Sequence, residues 1–213
     1  MDYILNVTMA VAYGSKITYL LFFSTLIFAL PFGLMIALAR LSNLPSLKAL
    51  TSTYIWLLRG TPLLLQIFFI YFGLPVFGIN LDRMSTAIIA FSLNYAAYFA
   101  EIFRAGIQSI DKGQYECADV LGLTYLQTTK RIVIPQMIKR VLPPMGNEFI
   151  NLVKDTALVY AIGLSEILRA AKIAVVRDFT ITPFFIAAVF YLLTTLILTL
   201  FFRKMEQKYA YYE

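Results

Sequence analysis

The sequence contains no histidine and a single cysteine, Cys117. The first absence excludes a histidine proton relay and a histidine-held metal. The second excludes an internal disulfide. Charge is scarce too: 14% of residues are Asp, Glu, Lys or Arg, against roughly a quarter in soluble domains. No G-x-x-x-x-G-K-[ST] loop occurs, so nothing here is built to cradle the phosphates of ATP. Nucleophile-elbow sequences and clusters with metal-ligand spacing are also missing, which argues against a membrane-embedded enzyme. The opening residues, "MDYILNVTMAVAYGSK", lack the basic start, short apolar core and small-residue cleavage site of a signal peptide. The first hydrophobic run is therefore expected to be retained.

What is abundant is apolar surface. Of 213 residues, 60% are hydrophobic and the mean hydropathy is +0.76. A membrane span needs about 20 mostly apolar residues, and five such stretches can be placed: Ile17 to Leu41, Gly60 to Ile79, Met84 to Ile107, Leu142 to Leu164 and Pro183 to Phe202. The expected fold is an all-α integral membrane protein, one helical domain over residues 1–213, without tandem repeats. Arg59 reads as an interfacial anchor at the start of the second span, and Gly60 with Pro62 marks a local helix break, either structural or gating. The stretch 165–182 reads as a mixed loop. Tyr209, Tyr211 and Tyr212 read as interfacial aromatics.

The net charge of +6 does not indicate nucleic acid, because the basic residues sit at the ends of hydrophobic runs. With the C-terminus inside, twelve of the 18 Lys and Arg residues fall on the cytoplasmic side and Lys154 falls within the membrane. This bias predicts an N-out, C-in orientation.

The longest polar segment, Gln108 to Arg140, carries helix punctuation. Asp111 with Gln114, and Thr124 with Gln127, have the spacing of capping boxes. Gly122 suits a left-handed helix stop, and Pro135 ends or kinks the second helix. Two polar stripes cross otherwise apolar spans. Asn94, Tyr98 and Glu101 share one helix face; Asn147, Asn151 and Lys154 share another, with Glu148 and Asp155 beside them. Such stripes face a bundle interior or an aqueous cavity. Arg104, three residues after Glu101, reads as its ion-pair partner or a snorkelling anchor.

Glu116, Cys117, Ala118, Gly122, Ile132 and Pro135 resemble the "EAA" signature of ATP-binding-cassette (ABC) import permeases: E-A-A, three residues, G, nine residues, I-x-L-P. Cys117 and Ile134 depart from it by small apolar exchanges. The blocks "RGTPLLLQIFFIYFGLP", "NYAAYFAEIFRAGIQSIDKGQYE" and "LPPMGNEFINLVKDTAL" are similar to the polar-amino-acid uptake branch, and the likeness covers about residues 15–205.

The resemblance implies a five-span permease of a bacterial cytoplasmic membrane, with residues 111–135 as a coupling helix that docks on an ATPase. It implies two ABC ATPase subunits that carry ATP and Mg, a second permease copy, an extracytoplasmic amino-acid-binding protein and a polar amino acid as solute. No cofactor is expected on this chain itself. The outer loops around Phe77 to Arg83 and Glu166 to Thr182 would receive the binding protein. In such a protein Lys154 fits three roles: a donor to a solute carboxylate, with Glu101 or Asp155 as the anion for the solute ammonium; half of a permanent pair with a carboxylate such as Glu101 or Asp155 that stabilises packing or a gate; or part of an interface with a receptor or a second permease. A passive channel or an accessory membrane subunit without ATP coupling is the alternative.

Overall fold

The structure, a computed structural model, describes residues 2–210; Tyr211, Tyr212 and Glu213 lie outside the described residues. Every regular element among those described is helical. The long helices are α1 (Asp2–Leu41), α4 (Arg83–Gln108), α7 (Ile134–Asp155) and α9 (Thr182–Tyr209). Between them lie α2 (Pro45–Gly60), α3 (Leu63–Phe68), α5 (Lys112–Val120), α6 (Tyr125–Thr128) and α8 (Ile167–Asp178). By length and hydropathy, α1, α4 and α9 can cross a membrane, and the bent α2–α3 pair makes a fourth candidate. The charges on α7, from Lys139 and Arg140 to Lys154 and Asp155, keep it from qualifying on composition.

The core is the pairing of α1 with α4. Leu21, Phe22, Leu26, Ala29 and Ile36 of α1 pack on Ala87, Ala90, Phe91, Ala96, Phe99 and Ala100 of α4, all buried. Small residues let the backbones approach, as membrane helix pairs require. At Gly33 a Cβ would sit 2.9 Å from the Phe99 Cβ and 3.0 Å from the Ala96 carbonyl oxygen, so only glycine fits without a shift. The outward faces of α1 and α9 remain apolar: Leu20, Phe23, Ile27, Leu192, Leu196 and Ile197 are all exposed. A soluble monomer rarely shows so large an apolar surface, and a bilayer accepts it.

Several boundaries differ from the sequence reading. The first helix begins at Asp2, not Ile17. Its 40 residues span about 60 Å, roughly twice the hydrocarbon thickness. The extra length is held by α8, which is a helix where a mixed loop was expected. Val7 and Val11 of α1 pack on Ile167, Ala171 and Ala174 of α8 and on Ala187. Glu166 starts α8 by accepting from the Leu168 and Arg169 amides at 2.6 Å each. Tyr191 donates to the same carboxylate at 3.0 Å.

The second span does not run straight from Gly60 to Ile79. Helix α2 starts at Pro45, breaks at Thr61 and Pro62, and re-forms as α3 with a 103° bend. Thr61 is extended (φ −117°, ψ 145°), as a residue before proline prefers. Past α3, wide and tight helical turns carry the chain to Phe77. The fourth span stops being α-helical at Asp155 and continues as a tight turn over Thr156–Ile162. Asp82 starts α4, and bonds from Ser85 hold its carboxyl below the usual carboxylate range.

Candidate functional site

Two features of the fold are available for function: a polar groove beside α4, and the exposed connection between α4 and α7.

The groove is walled by the α2–α3 elbow, α4 and α7. Its first cavity, about 520 Å³, is lined by Arg59 to Leu63, Asn94, Tyr95, Tyr98, Glu148, Asn151, Asp155 and Leu158. A second, about 460 Å³, is lined by Arg59, Tyr98, Glu101, Ile102, Arg104 to Gly106, Ser109, Arg140, Pro144 and Glu148. Most of the sequence-predicted stripe residues therefore converge here, from two helices and one break.

Their roles in the geometry differ. Asn94 is 4% exposed and donates to the Leu58 carbonyl oxygen at 2.9 Å and to Gln66 Oε1 at 3.0 Å. Gln66 in turn donates to the Leu58 and Thr61 carbonyl oxygens at 2.8 and 3.1 Å. These bonds satisfy carbonyls that the break at Pro62 strands, so Asn94 ties the elbow to α4. Asp155 accepts from the Tyr95 hydroxyl at 2.7 Å, which fixes the end of α7 to α4. Tyr98, Glu148 and Asn151 face the cavities. Asn147 and Lys154 are exposed at the edge and line neither cavity. Lys154 forms no ion pair among the described residues, so the pair with Glu101 or Asp155, one of its open readings, is not seen within the protomer. The cause is direction: adjacent residues on a helix point about 100° apart, and Asp155 turns to Tyr95.

Glu101 meets three arginines instead. Arg104 donates to both of its oxygens, at 3.1 and 2.7 Å. Arg40 at the end of α1 donates to Oε1, and Arg59 lies 3.8 Å from Oε2. The Arg104 pair was expected at i,i+3; the Arg40 and Arg59 contacts join residues remote in sequence. Arg59 is placed inside the groove, not at the entry of a span. Tyr95 was not singled out from the sequence. The Gly-Thr-Pro that follows Arg59 was the available signal, since it places Arg59 close to a bend.

The connection between α4 and α7 is a rigid projection. Asp111 caps α5 through the Gly113 amide at 2.7 Å. Gln114 does not complete a capping box there, because its Oε1 accepts from Gln136 at 3.1 Å. Gly122 stops α5 at φ +70°; the Gly122 amide donates to Asp119 and the Leu123 amide to Ala118, a Schellman closure. Thr124 and Gln127 form the expected capping box on α6. Pro135 does not end the helix, which runs on from Tyr125 to Asp155. The wide turn Thr129–Val133 just before Pro135 absorbs its missing N–H. Ala118 is buried, Ile132 and Pro135 are half-buried, and Glu116 and Cys117 are exposed. Val120, Leu121, Tyr125 and Leu126 form an exposed apolar tip, with Tyr125 83% exposed.

Comparison with known proteins accords with these features. The family of binding-protein-dependent transport system inner membrane components matches residues 29–211. The probable amino-acid ABC transporter permease YckA of Bacillus subtilis is 39% identical, over 99% of this chain and 96% of its own length. The arginine transport permease ArtQ of the same organism is 38% identical over 92% and 90%. A crystal structure of an amino acid ABC transporter with histidines superimposes with a TM-score of 0.88 at 37% identity, covering 96% of both chains. A methionine ABC transporter in an inward-facing form shares the fold alone, at a TM-score of 0.71 and 16% identity. With its groove, its projecting α5–α6 turn and these relatives, the chain belongs to the binding-protein-dependent transport system inner membrane components, among the amino-acid ABC transporter permeases.

Proposed function

We propose that this permease subunit imports a polar amino acid through the groove beside α4, in an assembly of two permease copies, two ATPase chains and an extracytoplasmic binding protein. The observation that carries the reading is the convergence of Arg59, Tyr98, Glu148, Asn151 and Asp155 on one cavity. A zwitterion needs donors for its carboxylate and an anion for its ammonium. Arg59 supplies the first; Glu148 and Asp155 supply the second. A single chain encloses the groove only in part, and a second identical copy completes its wall.

Five membrane crossings follow if α7 and the bent α2–α3 pair each count as one. The charge on α7 is then accommodated by facing the groove instead of lipid. The N-terminus lies outside and the C-terminus inside, in the bacterial cytoplasmic membrane. The apolar tip at Val120 to Leu126 docks in a groove of an ATPase chain, the subunit that carries Mg and ATP. Nucleotide-driven closure moves α5–α6, which is continuous with α7, and α7 carries one wall of the groove. Alternating access results, and it separates this reading from a passive channel.

The test is ATP-dependent uptake by the reconstituted complex, with arginine, glutamine, cystine and histidine competing. Glu148→Gln and Asp155→Asn should each lower uptake while the ATPase still co-purifies. Normal uptake in both variants would remove the groove from the pathway.

A further inference from the structure

The groove consists of two cavities in series, and Arg59, Tyr98 and Glu148 line both. Along α4, Asn94 and Tyr95 border only the first cavity, while Glu101, Ile102 and Arg104 to Gly106 border only the second. The cavities are therefore stacked along α4, with Tyr98 at their junction.

The Arg59 guanidinium lies over the Tyr98 ring, 5.0 Å from its centroid. Its nearest carboxylate is Glu101 at 3.8 Å, a long contact, and Glu148, on the wall of the same two cavities, attracts it without a direct bond. Glu101 does not depend on it, since Arg104 and Arg40 already bond both carboxylate oxygens. Arg59 is the exchangeable third member of that cluster, and its side chain is 41% exposed. Its backbone lies one residue short of the Thr61–Pro62 break, and a Cβ at Gly60 would meet no atom within 4 Å beyond its chain neighbours and its own helix backbone. The residue is thus weakly held and sits at a bend with free space beside it.

We infer that Arg59 is the movable partition between the two cavities, and that a solute carboxylate displaces it. This inference rests on the groove being the pathway. A carboxylate reaching the first cavity offers the guanidinium a bidentate partner, a better one than a ring face and a distant Glu101. Arg59 then leaves Tyr98, and the neck opens toward the second cavity. Passage becomes conditional on a carboxylate, which makes Arg59 a specificity-determining residue as well as a gate.

The test uses the full complex in proteoliposomes, loaded with whichever of labelled arginine, glutamine or cystine the wild type accumulates. Arg59→Ala should raise ATP-independent efflux about tenfold, the order expected when one ring contact and one long ion pair are lost. It should also raise the ATP hydrolysed per amino acid accumulated. Arg59→Lys should restore part of the seal, since it keeps the charge but not the planar fork. In the wild type, the amide of the same amino acid should compete poorly for uptake. If Arg59→Ala does not assemble, Tyr98→Leu removes the ring face and carries the same expected leak. Efflux within twofold of wild type in the assembling variants overturns the inference. Loss of uptake in Glu148→Gln alongside such tight variants overturns the gate alone; normal uptake in Glu148→Gln and Asp155→Asn overturns the groove reading itself.

Discussion

Asn94 is the residue whose role the structure changes most, and a double-mutant cycle with Gln66 measures that role. Asn94→Ala removes two hydrogen bonds, to the Leu58 carbonyl at 2.9 Å and to Gln66 Oε1 at 3.0 Å. Side-chain hydrogen bonds between membrane helices average about 0.6 kcal/mol each and reach about 1.7. Two of them make about 1 to 2 kcal/mol. The Leu58 carbonyl keeps Gln66 as a partner at 2.8 Å, so the substitution strands one acceptor, Gln66 Oε1. Gln66 is half-buried, so that acceptor adds a cost near the low end of the range for a buried polar group, about 1 kcal/mol. The total expected is about 2 to 3 kcal/mol. Gln66→Ala removes the bonds to Leu58, Thr61 and Asn94 together and should cost at least as much. Because the two residues share a bond, the double variant should lose less than the sum, by about 0.5 to 1 kcal/mol. The assay is reversible unfolding of the purified permease in mixed micelles, with uptake per folded complex measured in parallel. Additive costs, or an Asn94→Ala protein as stable as wild type but without transport, would refute the elbow tie and return Asn94 to the solute pathway.

Three further outcomes are expected. Tyr125→Glu at the exposed tip of the α5–α6 projection should leave folding unchanged and weaken ATPase binding by about tenfold or more, as loss of an interface anchor does; undiminished co-purification would place the docking surface elsewhere. Lys154→Met should leave protomer stability within about 0.5 kcal/mol, since Lys154 is exposed and forms no ion pair among the described residues. A protein that unfolds would reveal a partner for Lys154 in the assembled complex. Glu166→Ala removes the side-chain cap of α8 and takes one acceptor from the part-buried Leu168 and Arg169 amides and the Tyr191 hydroxyl. It should cost about 2 to 4 kcal/mol, the sum of a lost cap and a lost acceptor, read as a lower midpoint in thermal unfolding.

The parts of the fold legible in the sequence are those decided over a few residues. The capping box at Thr124 and Gln127 closes within four positions, and the left-handed stop at Gly122 needs only its neighbours. The spans α4 and α9 follow from continuous apolar runs. Helix α8 was missed because its stability comes from outside it: a short helix of mixed composition gains little from propensity and depends on packing against Val7 and Val11. Gln114 was assigned to the wrong partner for a similar reason. The capping-box spacing is met, but Gln136 approaches from 22 residues away and takes its oxygen.

By itself, the sequence determined a helical membrane protein with a capped polar connection after Gln108, no G-x-x-x-x-G-K-[ST] loop and two polar stripes at helical spacing. Those are properties of composition, local caps and a 3.6-residue period, and each can be read one segment at a time. Only the tertiary structure decided what the stripes do. Asn94 holds an elbow because Leu58 and Gln66 are brought to it from 36 and 28 residues away. Glu101 is occupied by Arg40, 61 residues distant, while Arg59 is left on a ring face between two cavities. A polar side chain in an apolar environment takes the nearest adequate partner, and nearness is set by how helices pack.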